Sequence, residues 1–209
     1  MITTENDLKP VDPEIKKART SVPILDALAR RWSTRGFDPE RRISTAQLTA
    51  VAEAARWAPS ANNNQPWRYI FIDREAESRP VAERALKRGN IWAKRANYLI
   101  IALYRETFDK HDKTNPLAGL ELGLSLSNLM NQATAEGLAV HPMAGFEEKV
   151  LLAGLKVPAD YRIPVMLALG HYHPTRDLKD WQIESEHKIR ERRPLSVMVN
   201  FRGQFSDEF

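Results

Sequence analysis

The clearest pattern of apolar and polar residues lies between Ser44 and Pro59 and predicts a helix. Its apolar side chains recur at i, i+3, i+4 and i+7, the spacing of one helix face: Leu48, Val51, Ala52 and Ala55. Ser44 and Gln47 have the spacing of a capping box, which begins helices. Because Pro59 lacks the backbone N–H that a helix needs, the helix is expected to end before it.

Short apolar runs rich in aromatic and β-branched residues predict strands. Three such runs occupy Trp67–Ile72, Tyr98–Tyr104 and Ile163–Leu169. The second and third are apolar throughout, which is consistent with strands buried on both faces of a sheet. Gly170 is expected to end the third run, and Leu195–Val199 is compatible with a last strand.

Four further segments have helical patterns. One begins near Ser21, and the other three span Ser78–Lys87, Pro116–Glu136 and Glu147–Leu155. The first is expected to turn its apolar residues inward: Ile24, Leu25, Leu28 and Trp32. The long helix carries leucines on more than one face between Leu117 and Met130, so it is expected to be buried, either centrally or against a second subunit.

Helices alternate with few strands, which places the chain in the α/β or α+β class. A length of 209 residues and a hydrophobic content of 43% suit one domain with a true core. Residues 1–20 are polar and contain two prolines, so they are expected to form an N-terminal arm. The single domain would then span residues 21–209, including a C-terminal extension. His141–Phe146 is expected to be a turn between elements.

The chain contains no cysteine, which excludes disulfides, thiol catalysis and cysteine-ligated metals. Residues 1–20 lack the apolar core of a signal peptide, and no apolar run reaches membrane-spanning length. We therefore expect a cytoplasmic protein without a membrane partner.

Charge and motif content narrow the function classes. The net charge of +4 favours an anionic ligand but is too small to indicate nucleic acid. No glycine-rich phosphate loop is present, and no G-x-G-x-x-G follows a strand. No third metal ligand is indicated beside His171 and His173, so no metal is expected, and no nucleophile–base pattern appears. A bound cofactor that carries the chemistry fits this combination.

Two polar segments could hold such a cofactor. Trp57–Trp67 contains three consecutive asparagines and a glutamine between two prolines, which could grip a polar heterocycle; the alternative is an ordinary polar turn. Arg31, Ser33 and Arg35 alternate, so in an extended segment they can face one anion. The alternative there is two surface arginines at a helix end.

The order of four motifs resembles the nitroreductase family, flavin-dependent oxidoreductases that use FMN. Arg31–Arg35 resembles its R-x-S-x-R signature, and Ala58–Trp67 resembles its A-P-S-x-x-N-x-Q-P-W signature at every fixed position. Pro142–Phe146 resembles its P-x-x-G-F turn, and Arg190–Pro194 resembles its basic cluster before a proline. The resemblance covers nearly the whole chain, about residues 24–199.

The resemblance implies an α+β fold in which helices wrap a small mixed β-sheet. It also implies a domain-entwined homodimer with two FMN sites at the interface, each built from both subunits, and NADH or NADPH as the electron donor. The apolar segment Leu117–Met130 would then face its own sheet on one side and the partner helix on the other.

The same resemblance assigns the cofactor-binding residues. Those expected at the phosphate and ribityl chain are Arg31, Trp32, Ser33, Arg35, Arg190, Arg192 and Arg193. Those expected at the isoalloxazine ring, with Ser60 and Asn63 coming from the opposite subunit, are Pro59, Ser60, Ala61, Asn63 and Gln65. Those expected along the flavin edge are Pro142, Met143, Ala144 and Gly145, with Asn90 at the pyrimidine end. No catalytic side chain is expected, because flavin N5 carries the chemistry.

The implied activity is the reduction of nitroaromatic, quinone or related small acceptors by ping-pong hydride transfer through flavin N5. Phe108 and His111 are expected to rim the substrate pocket, together with Arg105 and Lys113, although ordinary loop surface is the alternative. A specialised dehalogenase, enone reductase or flavin reductase stays open, as does a flavin carrier or sensor without turnover. A nucleic-acid binder ranks last, because the expected pattern of aromatic and basic residues is absent.

Overall fold

A small antiparallel sheet forms the centre of the computed structural model, which describes residues 12–109, 113–174, 178–201 and 203. Its strands in this part of the chain are β1 (Phe37–Asp38), β2 (Trp67–Asp73), β3 (Tyr98–Arg105), β4 (Ala139–Met143) and β5 (Tyr161–Tyr172). β5 pairs with β1, β3 and β4, and β3 also pairs with β2. The predicted α+β fold is confirmed. A mixed sheet was expected, and every pairing between the described strands is antiparallel.

β3 and β5 are buried on both faces, as their continuous apolar runs predict. Leu99 and Ile101 of β3 point into one apolar cluster, and Ile100 points into the other. Successive side chains of a strand alternate between faces, which is why one run supplies both clusters. Full burial of each such side chain stabilises the fold by about 1.5–3 kcal/mol.

Two helices cover each face of the sheet. α2 (Thr45–Arg56) and α4 (Ala118–Ala135) contribute side chains to one cluster, and α3 (Arg79–Ala85) and α5 (Glu148–Gly154) contribute to the other. The predicted capping box of α2 is confirmed: Ser44 Oγ accepts the Gln47 N–H at 3.2 Å, and Gln47 Oε1 accepts the Ser44 N–H at 3.1 Å. Among the helices of the described residues, none is long and apolar enough to cross a membrane.

α4 has one buried and one exposed apolar face. Leu122 and Leu129 are buried against the sheet, as predicted for one face of this helix. Leu117, Leu120 and Leu124 are 44%, 63% and 41% exposed in the single chain. The sheet of the same chain therefore buries only one of the two apolar faces, and the other stays exposed.

The first predicted helix is shorter than expected and buries little. α1 spans Asp26–Arg30, and Ala29 is its buried residue. Ile24, Leu25 and Leu28 are exposed, so the prediction that they point inward was wrong for the single chain. An apolar stripe shows that a helix face favours burial, but it does not identify the surface that covers the face.

Other segments also differ from their predictions. Part of the turn predicted over His141–Phe146 is strand β4, which pairs through Pro142 because it lies along β5 at the edge of the sheet. β5 continues past Gly170 to Tyr172. Leu195–Val197 is a 3-10 helix rather than a strand, and α6 (Asp180–His187) was not predicted.

The arm predicted over residues 1–20 falls largely outside the described residues, which begin at Asp12. Its last part is attached to the domain by Lys16, which is 3% exposed. The Lys16 ammonium donates to the carbonyl groups of Ser185, at 3.1 Å, and Lys188 near the end of α6. A cation is favourable there because the helix dipole places negative charge at the C-terminus.

Gly170 is expected to be intolerant of any side chain. A Cβ at this position would lie 2.4 Å from Asn97 Oδ1 and 2.9 Å from a ring carbon of Phe37. We expect Gly170→Ala to lower the free energy of unfolding by about 1–3 kcal/mol, the usual cost of overpacking. Urea denaturation measures the change. The control is Gly89→Ala, where an added Cβ meets open space. Equal stability of the two variants would contradict the prediction.

Candidate functional site

Three arginines lie close together with little opposing charge. Burial lowers the pKa of Arg31, and the Arg192 guanidinium lowers it further. Burial also lowers the pKa of Arg190, with further lowering from Arg31 and then Arg192. None of the ion pairs formed within the described residues involves these three side chains. A cluster of mutually repelling guanidiniums is suited to an anion such as phosphate.

Backbone carbonyl groups hold this cluster in place. The Arg190 guanidinium donates to the carbonyl groups of Lys16 and Ala29, each at 2.7 Å. Arg31 Nη1 donates to Ser33 Oγ at 3.3 Å, which brings two of the three residues of the R-x-S-x-R motif together. Arg190 Nη1 is therefore shared by two carbonyl groups, whereas Arg31 Nη1 makes one bond and Arg192 Nη1 makes one, to the Glu191 carbonyl at 2.8 Å.

Arg35 points toward α6 rather than toward Arg31. Its guanidinium lies 3.3 Å from Ser185 Oγ, 3.9 Å from the Glu186 carboxylate and over the Trp181 ring. Glu186 is 5% exposed and also accepts the Arg35 backbone N–H at 2.9 Å and the Thr34 hydroxyl at 2.6 Å. The buried carboxylate thus fixes the backbone of the arginine segment, and it partly neutralises Arg35.

His141 links the arginine segment to the strand that leads into the P-x-x-G-F turn. Its Nδ1 lies 2.7 Å from the Thr34 carbonyl oxygen, which can only accept, so Nδ1 carries the proton. Burial lowers the pKa of His141 to about 4; the charges of Arg35 and Arg31 add to the shift, and the bond to Thr34 opposes it. The ring also lies 4.5 Å from that of Trp92. His141 is therefore a neutral spacer near neutral pH.

The turn after β4 is held by the segment that contains Asn90. The Gly145 carbonyl accepts the Asn90 side-chain amide and the Lys87 backbone N–H, both at 3.0 Å. A Cβ at Gly145 would lie 2.6 Å from Asn90 Nδ2, so this approach requires glycine. Asn90 was expected at the pyrimidine end of the flavin, and the structure shows its amide group bound to the turn itself. Ala144 beside it is exposed.

The carboxamide loop is unusual in its backbone. Asn62, Asn63 and Gln65 have φ values of 53°, 55° and 47°, in the left-handed region that residues other than glycine seldom adopt. Ser60 Oγ accepts the Gln65 N–H at 3.0 Å, and the Ala61 N–H donates to Glu121 of α4 at 2.7 Å. The Asn63 side chain is exposed. The loop therefore has an irregular backbone that specific hydrogen bonds hold in place, and it is not a simple turn.

The expected pocket rim contains two short segments, 107–109 and 113–114, that pair with each other (the rim hairpin) and contact this loop. The Phe108 N–H donates to the Lys113 carbonyl at 2.8 Å, and the Asp109 N–H donates to Asn64 Oδ1 at 3.1 Å. Arg105 forms ion pairs with Asp109 and Asp160, at 3.0 and 2.7 Å, so its charge is not free for a ligand. His111, also expected at the rim, lies outside the described residues.

The predicted residues form two groups. Hydrogen bonds of the arginine segment run to α6 and β4, and those of the carboxamide loop run to α4 and the rim hairpin. Met143 is buried and Trp32 is packed against Tyr172, whereas Pro59 and Arg193 are exposed.

No three His, Asp or Glu side chains in the described ranges lie close enough together to hold a metal ion.

Sequence reasoning missed the residues that support the site. Glu121, His141 and Glu186 each act through a contact with a segment distant along the chain. No motif marks them, and a lone acidic residue in a helix, such as Glu121 or Glu186, is ordinarily a surface residue. Their partners become visible only when the chain is folded.

A family model described as the nitroreductase family matches this chain over residues 28–91 and 84–171. Among curated proteins, Protein DrgA of Synechocystis is 28% identical over 173 residues, which cover 70% of this chain and 82% of that protein. The major NAD(P)H-flavin oxidoreductase of Aliivibrio fischeri is 23% identical, over 74% of this chain and 90% of that protein. Among solved structures, an oxidoreductase containing FMN matches with a TM-score of 0.83 and 29% identity, over 90% of this chain and 96% of that chain.

His141 is expected to make stability depend on pH. Its pKa of about 4 in the folded chain lies below the usual 6.5, so the unfolded chain binds more protons between these values. Stability is therefore present above pH 6.5 and is lost as the pH falls toward 4; by pH 5 the loss should be about 2 kcal/mol.

The matched variant for this prediction is His141→Asn, which keeps a donor for the Thr34 carbonyl but does not titrate. Urea denaturation at about pH 7.5 and about pH 5 should show a smaller loss of stability in the variant than in the natural chain. Equal losses in both would contradict the assigned pKa.

Proposed function

This chain belongs to the nitroreductase family and is therefore an oxidoreductase, and we propose that it uses FMN with NADH or NADPH to reduce small acceptors such as nitroaromatics and quinones. The observation that carries the proposal is the arginine cluster of Arg31, Arg190 and Arg192, which lies beside the segment that leads into the Gly145 turn. The relatives support it, because one is named an NAD(P)H-flavin oxidoreductase and one solved structure contains FMN.

The residues present fit FMN at both of its ends. A phosphate dianion suits Arg31 and Arg192, whose charges repel each other and have no carboxylate partner among the described ion pairs. The donor and acceptor edge of the flavin ring suits the carboxamides of Asn63 and Gln65 and the backbone of Gly145. At Gly145 a Cβ would collide with Asn90, so glycine lets Asn90 hold the turn whose backbone would border the ring.

When bound, FMN would supply hydride chemistry, accepting a hydride from the reduced nicotinamide and passing it to the acceptor. The chain itself would bind and orient. Ser33 and the arginines would hold the phosphate end, and Ser60, Asn63 and Gln65 would border the ring. No acid or base side chain is required, since water can supply protons, and the protein contributes positioning and electrostatics.

We further propose a homodimer in which each site uses both subunits. The exposed Leu117, Leu120 and Leu124 form an apolar face on α4 of the kind that marks an interface. Within one chain, the carboxamide loop and the arginine segment are held by different elements. In the proposed dimer, each site would combine the arginine segment of one chain with the carboxamide loop of its partner.

Arg31 should bind the phosphate of FMN and not the ring. We expect Arg31→Ala to weaken FMN binding about 10- to 100-fold, the loss of one charge-assisted contact. Riboflavin, which lacks the phosphate, should bind both proteins equally. Fluorescence titration of each flavin measures the affinities. The control is Arg84→Ala on the exposed surface of α3, which removes the same charge. Unchanged FMN affinity in Arg31→Ala would contradict the assignment.

Flavin turnover is tested by the visible spectrum of the purified protein under nitrogen. We expect a yellow protein that bleaches when NADH or NADPH is added and recovers its colour with a nitroaromatic or quinone. Parallel double-reciprocal lines should follow, because donor and acceptor would use one site in turn. A yellow protein that does not bleach would be a carrier or sensor. If the protein does not bind FMN, the proposed function is overturned.

A further inference from the structure

Glu121 is a buried carboxylate with no arginine or lysine partner among the ion pairs of the described residues. It is 3% exposed and lies in the first turn of α4, where the helix dipole favours negative charge. Its Oε1 accepts the Ala61 N–H at 2.7 Å, and its Oε2 accepts the Asn115 side-chain amide at 2.9 Å. A buried charge is retained only when both oxygens are satisfied in this way.

The Ala61 contact acts on the most strained part of the candidate site. Three residues within four positions of Ala61 have left-handed backbone angles: Asn62, Asn63 and Gln65. Such residues persist only when surrounding contacts over-determine their conformation. The other hydrogen bonds to this loop are local, such as that between Gln65 and Ser60, or come from the Asp109 N–H and from the Arg105 N–H at the end of β3, which reaches the Pro66 carbonyl at 3.0 Å. Glu121 is the buried side chain that holds the loop from a helix, through its bond to the Ala61 N–H.

Asn115 extends this anchor to the rim of the pocket. Its side-chain oxygen accepts the Leu117 N–H at 3.0 Å, and its backbone N–H donates to the Glu106 carbonyl at 2.8 Å. One carboxylate therefore connects α4, the carboxamide loop and the end of the rim hairpin.

We propose that Glu121 is the positioning residue that shapes the carboxamide loop for the flavin ring. This inference rests on the proposed FMN function and extends it. Glu121 would not touch the flavin. It would hold Ala61, so that Asn63 and Gln65 present their carboxamides in the geometry that the ring requires.

The hydrogen-bond pattern allows a reciprocal test. In Glu121→Gln, the new side chain can still accept from Ala61, but its NH2 group then faces the NH2 group of Asn115. Combining Glu121→Gln with Asn115→Asp in a double variant reverses that bond. The introduced glutamine then donates, and the introduced aspartate accepts from it and from the Leu117 N–H. The double variant also keeps the net charge of the chain, so it restores the pattern without restoring the natural residues.

The experiment measures the affinities of the full-length protein for FMN and riboflavin by fluorescence titration. We expect Glu121→Gln to weaken both flavins by the same factor, about tenfold, and the double variant to bind both nearly as the natural chain does. The matched control is Glu186→Gln, which disturbs the arginine segment instead. It should weaken FMN and leave riboflavin unchanged.

A purely structural role would lower the melting temperature of Glu121→Gln without changing riboflavin affinity, and that result would overturn the proposal. So would a double variant that binds as weakly as Glu121→Gln. If Glu121→Gln does not fold, Asn115→Ala replaces it and should weaken riboflavin about threefold; unchanged affinity would overturn the proposal. Failure of the natural chain to bind FMN would instead refute the proposed function.

Discussion

A hydrogen bond from a backbone amide to a buried carboxylate secures each loop on which the candidate site depends. Glu186 accepts the Arg35 N–H in the arginine segment, and Glu121 accepts the Ala61 N–H in the carboxamide loop. Such bonds are stronger than neutral ones, and removing the acceptor would leave a part-buried donor unpaired. The shapes of the two loops are therefore set by α6 and α4 behind them, more than by the propensities of the loop residues.

The arginine cluster is electrostatically unfavourable as long as no anion is bound to it. Arg31, Arg190 and Arg192 repel one another, and burial removes part of the water that would weaken the repulsion. Carbonyl acceptors keep Arg190 in place, and the neutral His141 avoids adding a further charge. An anionic ligand would relieve the repulsion and stabilise the folded chain by mass action.

Elements with a strong local pattern were predictable. α2, β3 and most of β5 follow from periodicity and apolar runs, because each buries side chains against neighbours that any compact sheet supplies. A helix at α1 was expected, but its short length and the exposure of its apolar residues in the single chain were not. β4 was expected to be a turn, because it includes a proline that only an edge strand tolerates. The orientations of the motif residues at the candidate site were not predictable either.

The sequence by itself determined the order of the motifs and the resemblance to the family, because these depend on residue type and spacing along the chain, and the α+β class followed from that resemblance. Only the tertiary structure decided that Arg35 turns to α6, that Asn90 holds the Gly145 turn, and that Glu121 anchors the carboxamide loop. These contacts join residues far apart in the chain. Their energies depend on burial and hydrogen-bond geometry, which exist only once the helices have packed on the sheet.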